Sequence, residues 1–230
     1  KLYIDQTGDV EILNRKVPYF KDAQTCRGTQ TDEQWDAEQG SLLRTKDGEI
    51  YTGSILEHLL IQQLTAFYEV GSHNVYRLRG ADWNDALDMA SERGESVAFT
   101  CAYAGNLREL ASMIRLLESR SGEKEAVLPE ELQILLSGDA GLFEDPDAKN
   151  ALLADYTQSC RHRISGRHFS IPLSVLADDL DRRAGWLTGY LREREWIDGG
   201  ADEGWFNSYY DNHGRAVEGF FPNEVRMVLT

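Results

Sequence analysis

Two carboxylates, an amide and an indole stand within four consecutive residues in the segment Asp82-Trp83-Asn84-Asp85. Cleavage of a glycosidic bond requires a carboxylic acid that protonates the leaving oxygen, and an aromatic ring offers the sugar a stacking surface. Asp85 is our candidate for the acid and Trp83 for the ring, with Asp82 and Asn84 as partners of sugar hydroxyl groups. The same residues also suit the first turn of a helix with Asp82 as its N-cap, and that interpretation stays open.

A third carboxylate, Glu95, lies ten residues after Asp85 in Gly94-Glu95-Ser96-Val97. We expect Glu95 to bind a sugar hydroxyl or to orient Asp85. The alternative is structural, because Ser96 is a residue type that commonly caps the start of a helix.

Residues 204–212, which read Gly-Trp-Phe-Asn-Ser-Tyr-Tyr-Asp-Asn, are dense in aromatic and amide side chains. A pyranose has apolar faces and a polar rim, so its recognition requires stacking surfaces beside hydrogen-bonding groups. Trp205 and Tyr209 are therefore candidates for substrate binding. A packed hairpin with ordinary turn residues would leave a similar pattern.

The number of carboxylates that the reaction needs depends on its nucleophile. An inverting hydrolase requires a second carboxylate to activate water, and Glu95, Asp82 and Asp211 are the candidates for that role. A phosphorylase requires none, because phosphate is already an anionic nucleophile.

Composition excludes several classes of function. The formal net charge of −15 disfavours nucleic acid and anionic membranes as partners, since both are bound through basic patches. Three widely spaced cysteines without a CxxC motif predict small buried thiols in a reducing compartment, and hence a cytoplasmic protein. The five histidines are scattered, so the sequence predicts no metal site.

Helical periodicity dominates the segments that must position these groups. Residues 1–22 predict a helix, a turn and a short helix that ends near Pro18, and residues 23–51 predict a long loop with a small hairpin at Asp47-Gly48. Extended segments are expected at residues 75–80 and 168–172, and a hairpin at 205–217. The remaining predicted helices cover residues 52–71, 82–89, 96–119, 129–136, about 145–161 and 174–194.

Long helices alternate with long loops, and strands do not alternate with helices. The pattern predicts a mainly α fold, part of a helical toroid with long loops and one small β-hairpin. Thr52 and Gly71 are expected to cap the first long helix. Both chain ends look like cuts through a larger protein, so we expect residues 1–230 to form a single partial domain.

Taken in order, these segments resemble the inverting β-glycoside phosphorylases, relatives of cellobiose and chitobiose phosphorylase. The likeness covers nearly the whole chain and is weakest across residues 120–160. The matching segments are Tyr3 to Asp9 with Ile12-Leu13 and Val17-Pro18-Tyr19, Gly80 to Asp85, Gly94 to Val97, and Gly204-Trp205-Phe206 with Tyr209-Tyr210-Asp211.

The resemblance implies an (α/α)6 catalytic barrel and reversible, inverting phosphorolysis of a β-linked gluco-oligosaccharide to a sugar 1-phosphate. It gives Asp85 the role of general acid and places Trp83 in the sugar site. It implies inorganic phosphate as co-substrate and no metal or organic cofactor. The family's phosphate-binding residues have no matching positions here.

The family also includes processing domains of cyclic β-1,2-glucan synthases, and its members are several times longer than this chain. A related hydrolase or glycan transferase and a non-catalytic sugar-binding module are further alternatives. A partial barrel would expose apolar helix faces, so we also expect self-association into a homo-oligomer. Because the phosphate site looks incomplete, we expect the isolated chain to be inactive.

Overall fold

The computed structural model describes residues 1–26, 28–79, 90–200 and 203–217, and in these residues the fold is mainly α, as predicted. The helix predicted for residues 82–89 and the Asp82-Trp83-Asn84-Asp85 segment lie outside the described residues. The α-helices are α1 (Leu2–Thr7), α2 (Ile55–Tyr68), α3 (Val97–Ser121), α4 (Leu132–Leu136), α5 (Ala140–Phe143), α6 (Pro146–Cys160) and α7 (Leu173–Arg194).

Short antiparallel strands connect these helices, and the longest has five residues. The pairs are β1 with β4, β2 with β3, β7 with β8, β9 with β10, and a three-stranded sheet in the order β11-β6-β5. The strands are β1 (Lys16–Pro18), β2 (Gln24–Thr25), β3 (Gln30–Thr31), β4 (Thr52–Ser54), β5 (Tyr76–Arg77), β6 (Glu95–Ser96), β7 (Glu125–Pro129), β8 (His168–Pro172), β9 (Trp196–Gly200), β10 (Glu203–Phe206) and β11 (Tyr209–Tyr210).

The chain divides into two compact units. The first comprises Lys1–Leu64, Glu109–Gly138 and Ala151–Asp179. It contains the β1–β4, β2–β3 and β7–β8 pairs, and α4 packs against β7. Six of its fully buried apolar side chains lie on helices at the spacing that the sequence predicts: Leu60, Leu64, Ala111, Ile114, Leu117 and Leu176.

The second unit comprises Thr65–Arg108, Asp139–Asn150 and Leu180–Thr230. It contains the β11-β6-β5 sheet and the β9–β10 ribbon. One of its apolar clusters joins Val75, Val97 and Leu191 with Tyr210, so the start of α3 and the end of α7 pack against strand residues.

Several predicted boundaries need correction. Thr52 does not cap α2, because it pairs with Pro18 in the β1–β4 ladder, and Ser54 accepts the hydrogen bond from the Glu57 amide instead. Pro129 ends strand β7 rather than starting a helix, which begins at Leu132. The short second helix near the N-terminus ends at Asn14.

The hairpin predicted for residues 205–217 is only partly present. Strand β10 pairs back with β9, and a separate turn is closed by a bridge between Tyr210 and Ala216. The hairpin predicted at Asp47-Gly48 is confirmed by a bridge between Arg44 and Ile50.

The prediction of buried cysteines is wrong. Cys101 is exposed, and Cys26 and Cys160 are half-buried. On α3 the neighbouring Thr100 faces inward, where its hydroxyl donates to the Ser96 carbonyl at 2.7 Å and accepts from the Tyr76 amide at 2.9 Å. These bonds turn Cys101 toward solvent.

None of the helices in the described residues is both long enough and apolar enough to cross a membrane.

Candidate active site

The β11-β6-β5 sheet brings together two of the segments singled out in the sequence. Glu95 on β6 lies between Arg77 on β5 and Tyr210 on β11, and Ser96 lies between Tyr76 and Tyr209. Ser96 also accepts a hydrogen bond from the Phe99 amide at 3.1 Å, so it caps α3 as the alternative interpretation proposed. Three separate parts of the chain therefore meet in one small sheet.

The same sheet holds both flanks of the segment that contains Asp82 and Asp85. The Leu78 amide donates to the Gly94 carbonyl at 2.8 Å, which extends the pairing beyond β5. Ala90 is fully buried in a cluster with Leu78 and Tyr209. Described residues on both sides of that segment, Leu78 and Ala90, therefore lie at this sheet, while Asp82, Trp83, Asn84 and Asp85 themselves lie outside the described residues.

Asn212 ties the third segment to this region. Its side-chain oxygen accepts hydrogen bonds from the amides of Glu92 and Arg93, both at 2.8 Å. The turn after β11 is thereby fixed to the residues just before β6.

Glu95 is buried, with 2% of its surface exposed, and its carboxylate is held by the loop that follows α2. The amides of His73 and Val75 donate to Oε2 at 3.1 and 3.3 Å, and Nδ1 of His73 lies 2.8 Å from Oε1. A Cβ at position 71 would lie 2.1 Å from the Glu95 carboxyl carbon, so only glycine fits there. This geometry makes Glu95 a positioning group for the loop, and its contact with sugar stays a prediction.

The carboxylate of Asp211 is likewise held by hydrogen bonds from neighbouring residues. Oδ1 accepts from the amides of His213 and Arg215 at 2.8 and 2.9 Å, and Oδ2 lies 3.0 Å from the Arg215 guanidinium. Burial raises the pKa of Asp211, but these hydrogen bonds outweigh it and lower the pKa below its usual value. The carboxylate is therefore an ionised turn-forming group.

The two aromatic candidates differ in exposure. Tyr209 is buried in the cluster around Leu78, which favours a packing role. Trp205 on β10 is 37% exposed, and its ring lies against Gly199, where a Cβ would come within 2.7 Å of Cζ3. Trp196 on the paired strand is 47% exposed and lies against Gly204 in the same way. The ribbon thus presents two partly exposed indoles, of which the sequence argument identified one.

A pocket of about 180 Å³ lies beside this arrangement. It is smaller than the roughly 300–1,000 Å³ of sites for drug-sized ligands, so it suits one small polar group. Its lining is almost entirely polar and includes Ser72, Arg77, Arg93, Glu95 and Asn212.

Sequence reasoning missed Glu195, which is 2% exposed and joins α7 to the residues around β11. It accepts from the Asn207 side chain at 3.0 Å and from the Tyr210 hydroxyl at 2.9 Å. Burial, followed by the charge of Glu195, raises the pKa of Tyr210. No sequence motif identifies Glu195, because it follows the polar run Arg192-Glu193-Arg194 at the end of α7.

Sequence reasoning also missed Lys149. It is fully buried, and its ammonium nitrogen lies 2.8 Å from the Asn74 side-chain oxygen and 4.3 Å from the ring centres of Phe67 and Trp186. Burial, together with the charge of Arg183, lowers the pKa of Lys149 to about 7. A charged residue in an acidic, broken sequence region gives no signal of such burial.

No family model matches the sequence, and no curated protein matches it significantly. The resemblance to glycoside phosphorylases consequently rests on the ordered motifs.

Within the described residues, no three His, Cys, Asp or Glu side chains are grouped in a way that could hold a metal ion.

Proposed function

We propose that this chain is part of the (α/α)6 catalytic barrel of an inverting β-glycoside phosphorylase, with Asp85 as its general acid. One observation carries the proposal. The β11-β6-β5 sheet joins Gly94-Glu95-Ser96 and Tyr209-Tyr210-Asp211 and holds both flanks of the segment that contains Asp85. Segments that are far apart in sequence but belong to one motif set are expected to converge when they build one site.

In the proposed reaction, a phosphate oxygen forms a bond to the anomeric carbon from the face opposite the leaving group. The glycosidic C–O bond breaks, its electron pair goes to the leaving oxygen, and that oxygen takes the proton of Asp85. A β-glycoside then gives an α-configured sugar 1-phosphate. Trp83, Asp82 and Asn84 contact the sugar in this proposal, and no metal or organic cofactor takes part.

The described carboxylates favour phosphorolysis over hydrolysis. An inverting hydrolase would need a second carboxylate that faces a water molecule. The carboxylate oxygens of Glu95 and Asp211 are instead hydrogen-bonded to backbone amides and to the side chains of His73 and Arg215. Of the three candidates for that role, only Asp82 lies outside the described residues.

The partly exposed indole of Trp205 supports a sugar-binding role for the β9–β10 ribbon. Two carboxylates, Asp198 and Glu203, lie in the same ribbon and offer partners for sugar hydroxyl groups. We propose a gluco-oligosaccharide as the substrate. We propose the cytoplasm as the compartment, because three cysteines without a CxxC motif favour a reducing environment.

The first test is Asp85→Asn in the complete protein of which we propose this chain to be a part. Phosphate-dependent release of a sugar 1-phosphate should fall by roughly 10²–10⁴-fold, because a general acid typically contributes that much. The loss should be much smaller for a dinitrophenyl glycoside, whose leaving group departs without protonation.

Asp82→Asn is the matched control, and it should reduce the rate less than Asp85→Asn does. Unchanged turnover of the oligosaccharide by Asp85→Asn would overturn the assignment of the acid. Sugar release that is independent of phosphate would overturn phosphorolysis and favour the hydrolase.

A further inference from the structure

A second, larger pocket lies in the first unit, among residues that the proposed phosphorolysis does not use. Its volume is about 610 Å³, within the roughly 300–1,000 Å³ of small-molecule sites. Every described residue that lines it has a polar or charged side chain: Asp32, Glu33, Gln34, Lys46, Gln158, Ser159, Arg161, His162 and Arg163. A lining whose side chains all end in polar or charged groups suits a hydrophilic ligand.

Cationic groups outweigh anionic ones in this lining. Lys46, Arg161 and Arg163 are the basic side chains of this lining, and His162 lies among them. Of the two acidic residues, Asp32 is already paired with Lys21, whose ammonium lies 2.8 Å from Oδ2. A local excess of positive charge in a chain of net charge −15 indicates an anionic ligand.

Asp32 fixes the imidazole of His162. The aspartate is 3% exposed, and its Oδ2 lies 2.9 Å from Nδ1 of His162. Burial raises the pKa of Asp32, but hydrogen bonds from Lys21, His162 and the Gln34 amide outweigh it and bring the pKa to about 2. An ionised carboxylate on Nδ1 leaves Nε2 as the imidazole nitrogen for a ligand.

The hydrogen bond that positions Arg161 is made to an uncharged group. Nη2 of Arg161 donates to the Thr31 carbonyl at 2.5 Å, and a carbonyl carries no charge. This contact uses one of the five N–H donors of the guanidinium and restricts the side chain before any ligand binds. A positioned guanidinium is a common partner of phosphate oxygens.

We propose that this pocket binds a small phosphorylated polyhydroxyl compound, a sugar phosphate in chemical class. Its phosphate dianion contacts Arg161 and Lys46, and its hydroxyl groups meet the polar remainder of the lining, where Nε2 of His162 can accept from one of them. The volume exceeds what a lone phosphate fills. This site is additional to the proposed catalytic one, because it shares no residue with it.

The test measures binding of glucose 6-phosphate, glucose and inorganic phosphate by calorimetry. Glucose 6-phosphate is the chosen probe because it is not the product of the proposed phosphorolysis. We expect it to bind more tightly than inorganic phosphate and glucose to bind undetectably. Arg161→Gln should weaken binding by at least about tenfold, the loss of one charge-assisted hydrogen bond, and Arg161→Lys by less.

Arg167→Gln is the matched control, since Arg167 is exposed, pairs with Glu130 and does not line the pocket. It should leave affinity unchanged, as should Asp85→Asn.

Circular dichroism of each variant verifies the fold. Lys46→Gln, at an exposed position, repeats the test without risk to the core. The proposal fails if wild-type protein does not bind glucose 6-phosphate, if inorganic phosphate binds equally well, or if both pocket variants bind normally. None of these outcomes depends on whether Asp85 supports phosphorolysis.

Discussion

Buried acidic residues occur in both units, and several of them are held by more than one donor. Glu57 illustrates the pattern: it is fully buried, and it accepts from the hydroxyls of Tyr19 at 2.7 Å and Tyr51 at 3.1 Å. A Cβ at Gly53 would lie 2.3 Å from its carboxylate, so the backbone also closes over it. Buried polar groups are tolerated when they are hydrogen-bonded in this way.

Glu57 should make stability depend on pH. Burial is the largest influence and raises its pKa, although the tyrosine hydroxyls and the charge of Lys16 oppose the rise. The unfolded chain has a pKa of about 4.3 for glutamate. The folded state thus holds the proton more tightly, and the stability that this group contributes is present below that value and is lost as pH rises through the folded-state pKa.

Glu57→Gln cannot titrate, so the wild type should lose stability relative to it as pH rises from 4 to 8. Urea unfolding at each pH measures the difference, and the exposed Glu11→Gln serves as control. Glu57→Leu should cost about 2–4 kcal/mol, since two buried hydroxyls lose their acceptor. A difference between wild type and Glu57→Gln that does not change with pH would refute this account.

Short strands precede the long helices at three places. β4 runs directly into α2, β6 into α3, and β8 into α7. At each place the strand forms backbone hydrogen bonds with a neighbouring strand, and the helix begins at the residue after the strand ends. The sequence pattern placed the start of α2 three residues too early, because Thr52 and Ser54 are both good capping types.

Ser54→Ala and Thr52→Ala distinguish the two capping assignments. Ser54 accepts from the Glu57 amide at 3.0 Å, so its loss should lower the free energy of unfolding by about 1 kcal/mol. Thr52 is exposed on a strand, and its replacement should change stability by less than about 0.5 kcal/mol. Urea unfolding of both variants provides the measurement, and a larger effect at Thr52 would restore the original prediction.

At the scale of the molecule, charge is distributed unevenly. The chain is strongly acidic, yet the 610 Å³ pocket of the first unit is rich in basic residues, three of them consecutive in Arg161-His162-Arg163. That run was the available signal in the sequence. Its partner cannot be read from the sequence, because the Asp32 that meets His162 is 130 residues away.

We predict that residues 1–230 alone do not catalyse phosphorolysis, because the phosphate-binding residues of the phosphorylases that the sequence resembles have no matching positions in it. An assay for sugar 1-phosphate with residues 1–230 checks the prediction. Measurable phosphorolysis by residues 1–230 alone would contradict it. Sedimentation of the same sample tests the expected self-association.

The sequence by itself determined the mainly α character and the inward stripes of the long helices, because a 3.6-residue period is a local property. Leu176, Leu180 and Leu187 are buried where the spacing predicts them. It also marked Glu95 and the aromatic segment as neighbours of one motif set.

Only the tertiary structure decided what those residues contact. The pairing of β6 with both β5 and β11, the loop that encloses Glu95, and the Asp32–His162 contact join residues separated by 18 to 130 positions. Such contacts depend on how helices and ladders pack in space. No local pattern in the sequence encodes these contacts. For the same reason, the sequence does not reveal that a polar residue such as Lys149 is fully buried.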